Sequence, residues 1–157
     1  MTRLYGRAPR NERCLAAVPH GHWQTVTFIA ALRHDRISAP WVVDGPMDGA
    51  LFLTYLTQVL GPELQQGDLV ICDNLAAHKV QGVAQALTER GASMHYLPAY
   101  SPDLNPIEIA FAKLKALLRQ ASARTYLDLI SATAQALNSF SAAECSRFLR
   151  HAQYTSN

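Results

Sequence analysis

Apolar residues recur along this chain with two different periods, and the changes between them divide it into elements. Gln24 to Leu32 and Ile37 to Val43 are rich in β-branched and aromatic residues and flank the polar turn His34-Asp35-Arg36. Both read as strands. Cys14 to Val18 reads as a third, paired antiparallel with Gln24 to Leu32 around His20-Gly21-His22. Phe52, Tyr55, Leu56 and Val59 then follow helical spacing within Leu51 to Leu60, with Asp48 as N-cap and Gly61-Pro62 as the stop.

The second half continues in the same way. Leu69-Val70-Ile71-Cys72, after Gly67-Asp68, is an unbroken apolar run that predicts a short strand buried on both faces. Lys79 to Arg90 places Val83, Ala84 and Leu87 on one helical face and stops at Gly91, and Ser93 to Leu97 forms another short strand. Asn105 as N-cap, Pro106 at the first helical position and Glu108 at the third predict a helix start. A stripe at Ile107, Phe111, Leu114, Leu118 and Ala121 follows it. Two more helices are expected, over Tyr126 to Asn138 and Ala142 to His151, the latter opened by the capping box Ser141 to Glu144. This order of strands and helices predicts a mixed α/β domain.

Composition narrows the class. With 157 residues and 49% apolar content the chain can bury a core as one domain. It contains no apolar run long enough to span a bilayer, and its basic start, Met1 to Arg7, has no apolar segment behind it, so no secretory signal is expected. Cys14, Cys72 and Cys145 show no paired spacing and read as the reduced thiols of a cytoplasmic protein. His20 and His22 read as turn residues rather than a metal pair.

Two carboxylates carry the chemistry. Asp73 directly follows the apolar strand, where open α/β sheets present ligands. Glu108 sits in a first helical turn, where the helix dipole keeps a carboxylate ionised and available to a hard cation. Each also has a plain structural reading, Asp73 as a polar strand end and Glu108 as the partner in a capping box. Thirty-four residues lie between them.

Taken with these two positions, several uncommon strings give the chain a resemblance. Asp73-Asn74 with His78-Lys79, then Tyr96-Leu97-Pro98-Ala99-Tyr100-Ser101-Pro102-Asp103-Leu104-Asn105-Pro106-Ile107-Glu108, resemble the DDE endonuclease domain of bacterial insertion-sequence transposases in the mariner-like superfamily. Gly6 to Arg13, Pro19-His20-Gly21-His22-Trp23, Val43-Asp44-Gly45-Pro46 and Phe111 to Lys115 resemble the same group in the same order. The resemblance implies a ribonuclease-H-like fold, a mixed sheet flanked by helices. It further implies DNA transposition by metal-dependent strand cleavage and transfer, with Asp73 and Glu108 as catalytic metal ligands for two Mg²⁺ (or Mn²⁺) ions. Asn74, His78 and Asn105 are then candidate neighbours in the active site.

The family uses three acids, and the first lies on an opening strand upstream of the segment resembling Gly6 to Arg13. No residue here matches it, nor the family's amino-terminal helix-turn-helix region. The chain therefore reads as a partial catalytic domain over 1–157, lacking the opening strand and inactive alone. Asp44, on an edge strand, and Asp48, a helix cap, are poor replacements. The alternative is a non-catalytic DNA-binding or assembly remnant of a transposase. Expected partners are DNA, at transposon ends and target, and a second copy or an upstream transposase fragment. The expected location is the bacterial cytoplasm, in association with the nucleoid.

Net charge, at +2, is too small to argue for a nucleic-acid partner, but its distribution adds something. Arg7, Arg10 and Arg13 cluster near the amino end, and Lys113, Lys115 and Arg119 lie in a stretch without acids after Glu108. Both groups are candidate phosphate contacts that carry no sequence preference; the plain alternative is solvated helix and loop faces.

Overall fold

The computed structural model describes residues 6–15 and 25–154. β1 (Val26–Leu32) and β2 (Ile37–Asp44) pair antiparallel from Val26↔Asp44 to Leu32↔Ile37. Between Ile29 and Ala31 the register shifts, because Ala39 and Pro40 face one residue of β1. Ala39 takes a positive φ of 48° at this bulge. The expected pairing of Cys14 to Val18 with β1 falls largely outside the described residues. Cys14 itself is exposed and not in a strand.

Helix α1 (Gly49–Thr54) begins as expected, with the Asp48 carboxylate accepting from Leu51 N at 2.8 Å. It does not run on as α-helix to Leu60: Tyr55–Leu60 widens into a π-helical segment and Gly61–Glu63 tightens into a 3₁₀ turn. The wide turn seats Tyr55 and Leu56 together in the core, where Tyr55 stacks on Trp41 at 6.3 Å between ring centroids. Phe52, Tyr55, Leu56 and Leu60 pack there with Val83 and Leu87.

β3 (Leu69–Cys72) pairs in parallel with β4 (Ser93–Tyr96), register Leu69↔Ser93 to Cys72↔Tyr96, through the crossover helix α2 (Val83–Thr88). Helix α2 starts four residues later than the periodicity suggests. Lys79 belongs to a separate 3₁₀ turn, Ala76–Lys79, and Gly82 breaks the path at φ 96°. That backbone suits glycine, and a Cβ there would meet Leu53 at 3.3 Å. Ala84 is exposed, so Val83 and Leu87 alone form the buried face. The expectation of a fully buried β3 also needs correction. Leu69 is 56% exposed and Val70 to Cys72 are half-buried, because nothing among the described residues pairs with the other edge of this strand.

Helix α3 (Ile107–Ala121) buries Ala110, Leu114 and Leu118 against α4 (Tyr126–Leu137). Its start differs from expectation: Pro106 stands at the cap, and the Asn105 side chain makes no capping hydrogen bond. Helix α4 opens on a Thr125–Asp128 capping box, and α5 (Ala142–His151) opens on the Ser141–Glu144 box at the predicted residues. Among the described residues no helix is long and apolar enough to cross a membrane. The architecture is mixed α/β, with two separate two-stranded sheets, β1-β2 and β3-β4, flanked by helices.

Candidate active site

Both acids come from the carboxyl end of the parallel pair. β3 ends at Cys72, so Asp73 leaves the strand there. β4 ends at Tyr96, and the chain passes through the 3₁₀ turn Pro102–Leu104 into the first turn of α3, which carries Glu108. Asp73, His78, Asn105 and Glu108 all line one cavity of about 510 Å³. Asn74 is half-buried but not part of that lining, and Asp44, exposed at the end of β2, is also outside it.

His78 is held from three sides. Its Nδ1 lies 2.6 Å from Asp73 Oδ1, its ring packs on Phe52 at 4.2 Å between centroids, and its carbonyl accepts from the Tyr96 hydroxyl at 2.7 Å. The His78 ring is thus the close partner of the Asp73 carboxylate, whose side chain is otherwise 43% exposed. On the other side, the Tyr154 hydroxyl donates to Leu104 O at 3.0 Å and pins the turn that leads to Asn105 and Glu108. Sequence reasoning missed Phe52, Tyr96 and Tyr154 as supports of the site. Tyr154 lies 50 positions from its partner and carries no local signal.

The basic residues divide into two groups. Lys115 and Arg119 are exposed on α3, and Arg7, Arg10 and Arg13 are exposed near the amino end. Lys113 is engaged inside the fold: its Nζ donates to Glu144 Oε1 at 2.8 Å and to Ser139 O at 3.1 Å, and lies 4.4 Å from the centroid of the Phe140 ring. The Lys113 ammonium, together with the Ser141 N–H, holds the Glu144 carboxyl down to about 2. Burial pushes the Cys72 thiol up to about 12.

As a metal site, the set has suitable chemistry but is short of ligands. Asp73 and Glu108 offer hard carboxylate oxygens to one cavity. Among the described residues, however, no group of three His, Cys, Asp or Glu side chains is arranged to hold one.

The fold is ribonuclease-H-like, shared with the catalytic domain of a mariner transposase. Similar solved structures include the Mos1 transposase paired-end complex with left transposon end (TM-score 0.76, 14% identity, covering 96% of this chain and 47% of that one). The catalytic domain of Mos1 mariner transposase matches at TM-score 0.69 and 14% identity, covering 83% of this chain and 76% of that one. A pre-cleavage Mos1 transpososome matches at TM-score 0.76 and 13% identity, covering 98% and 49%. This chain thus spans about half the length of the transposase chains in the two complexes. No curated protein matches it. A family model described as DDE superfamily endonuclease matches residues 1–130, and the chain belongs to that family.

Proposed function

We propose that the chain serves metal-dependent DNA strand cleavage and transfer at transposon ends, as the catalytic portion of a DDE transposase, and that it is inactive without a third acid. The observation that carries this reading is that Asp73 and Glu108 line one cavity, with His78 against the Asp73 carboxylate. Bound Mg²⁺ or Mn²⁺ ions would activate the attacking hydroxyl and stabilise the leaving oxygen. Asp73 and Glu108 would be two of their ligands. His78 orients Asp73 and Asn105 lines the cavity beside Glu108; the exposed Lys115 and Arg119, with Arg7, Arg10 and Arg13, neutralise phosphates. The partners on this reading are DNA, at transposon ends and target, and a second copy or an upstream transposase fragment. Its place is the cytoplasm, on the nucleoid when DNA is bound.

A second reading, a DNA-binding or assembly module without catalysis, is favoured by the lack of a three-ligand group among the described residues. A nicking assay on supercoiled DNA with Mg²⁺ or Mn²⁺ separates the two. The first reading expects no nicking by this chain alone, and metal-dependent nicking once a segment bearing the third acid is supplied, abolished by Asp73→Ala. Absence of nicking in the completed protein leaves the second.

A further inference from the structure

Helix α5 carries a row of basic residues that the site described above does not use. Cys145 and Ala152 are buried and Phe148 and Leu149 are half-buried, so these residues form its inward face. Arg147, Arg150 and His151 are exposed on the opposite face, at one-turn spacing. Among the described residues none of these three makes an ion pair, whereas Arg33, Arg36 and Lys113 are all engaged. The acid of the helix itself, Glu144, is bonded to Lys113, and residues 145–157 contain no Asp or Glu.

The course of α5 brings that charge to the cavity. Its first turn is tied to the middle of α3, where Lys113 Nζ reaches Glu144 Oε1 at 2.8 Å. Just past its last turn, the Tyr154 hydroxyl reaches Leu104 O, ahead of the start of α3. The two contacts fix α5 as antiparallel to α3, running back toward Glu108. Leu149 and Tyr154 accordingly line the same cavity as Asp73 and Glu108. The exposed cations of α3 lead the other way: Lys115 and Arg119 stand about 10 Å and about 16 Å along the helix from Glu108, at about 1.5 Å per residue. Asp103, exposed in the turn beside Leu104, pairs with none of the α5 cations.

We propose that the Arg147, Arg150 and His151 face of α5 is a docking surface for the phosphate backbone of duplex DNA, holding the duplex against the rim of the cavity on the Glu108 side. Each guanidinium offers a fork of N–H donors that suits phosphate oxygens, and the imidazole adds one more donor. From Arg147 to His151 the helix rises about 6 Å, at about 1.5 Å per residue. That length matches about two successive phosphates of one strand, at about 3.4 Å of duplex axis each. The contact is to backbone alone and carries no sequence preference. Helix α5 lies outside the stretch matched by the family model. The choice of DNA over another polyanion rests on the function proposed above; the phosphate contact itself needs no metal.

The test uses the whole chain without divalent metal and a short labelled duplex of arbitrary sequence, titrated by fluorescence anisotropy at several salt concentrations. Arg147→Gln combined with Arg150→Gln should weaken binding by about tenfold or more at low salt and lower the salt slope by about 2. Arg147→Lys with Arg150→Lys should keep the slope of the parent. Backbone resonances of Arg147, Arg150 and His151 should shift on titration together with those of Asn105 and Glu108, and the thermal midpoint of the glutamine variant should match that of the parent. A slope unchanged in the glutamine variant, with Lys115→Ala and Arg119→Ala still lowering it, overturns the proposal and leaves the DNA reading standing. No salt-dependent binding by the parent chain overturns both. A lowered thermal midpoint with unchanged DNA binding would make the arginines counter-charges to the helix C-terminus and overturn the proposal. So would loss of binding to polyglutamate but not to the duplex, which assigns the face to an acidic protein.

Discussion

His78 Nδ1 sits 2.6 Å from Asp73 Oδ1, and the imidazole bearing it rests on the Phe52 ring at 4.2 Å. The histidine thus links the core formed by α1 to the carboxylate at the end of β3. Its side chain is only 14% exposed, so it is a structural support of the site as well as a neighbour of the acid.

Replacing His78 should therefore have two separable effects. His78→Ala removes the ring packed on Phe52 and should cost about 1–3 kcal/mol in urea unfolding, the usual range for a truncated, largely buried side chain. His78→Phe keeps the packing and removes the contact with Asp73, so stability should return toward that of the parent. Equal losses for both variants would contradict a packing role.

Lys113 and Glu144 tie α3 to α5, and this predicts an acid limb in stability. The folded carboxyl of Glu144 titrates at about 2, below its ordinary value of 4.5. A depressed carboxyl pKa means that the unfolded state takes up the proton first as pH falls. The contribution is complete above about 4.5 and is lost on descending to about 2. Glu144→Gln should flatten the pH dependence of the thermal midpoint in that window and leave its shape near neutrality unchanged. An unchanged acid limb would show that the ion pair adds nothing.

The same pair alters the expected DNA face. Lys115 and Arg119 are exposed, whereas the Lys113 charge is already matched by Glu144. Lys115→Ala and Arg119→Ala should each weaken binding to unrelated duplexes by similar factors and reduce the salt slope by about 1. Lys113→Ala should act mainly on stability. Mobility-shift titrations at several salt concentrations check this, and strong sequence selectivity or salt-insensitive binding would contradict a phosphate-tracking face.

How much of this was legible in the sequence depended on the range of the interaction. The Ser141–Glu144 box, the Asp48 cap and the limits of α5 rest on contacts within a few residues, and local spacing revealed them. The placement of Asp73 at a strand end and Glu108 in a first helical turn was readable for the same reason. Contacts between distant segments were not. Lys113 looked like a free cation because Glu144 is 31 positions away, and Tyr154 gave no sign of reaching Leu104. The break at Gly82 was hidden by apolar positions that suited a longer helix, although a glycine there permits the positive φ that ends it. The half-exposed β3 escaped notice because an apolar run reports what a strand can bury, not whether a neighbour lies on each edge.

Tyr154 offers a test of how the Glu108 side of the cavity is held. Its hydroxyl donates to Leu104 O, one turn before α3. Tyr154→Phe deletes one hydrogen bond at an exposed site and should cost about 0.5–1.5 kcal/mol in global stability. The more telling readout is local: amides of Leu104 and Asn105, which donate to Ser101 O and Pro102 O, should exchange faster while those of α5 do not. Unchanged exchange at these two amides would show that the turn holds itself.

Metal binding gives the sharpest test of the two acids. Two carboxylates leave most of a Mg²⁺ shell to water, so affinity should be weak, in the millimolar range, and better followed with paramagnetic Mn²⁺ than by activity. Mn²⁺ should broaden the resonances of Asp73, His78 and Glu108, which share a cavity, before those of Asp44 and Asp48, which stand elsewhere. Asp73→Asn should reduce that broadening at Glu108 as well, because a shared ion is released from both ligands when one is lost. Asp73→Asn keeps the size of the side chain and removes its charge, so thermal unfolding measured on the same variant separates loss of the metal response from loss of the contact with His78. If Asp73→Asn leaves the Glu108 broadening as it was, the two carboxylates do not share an ion, and the metal-dependent reading of the cavity is wrong.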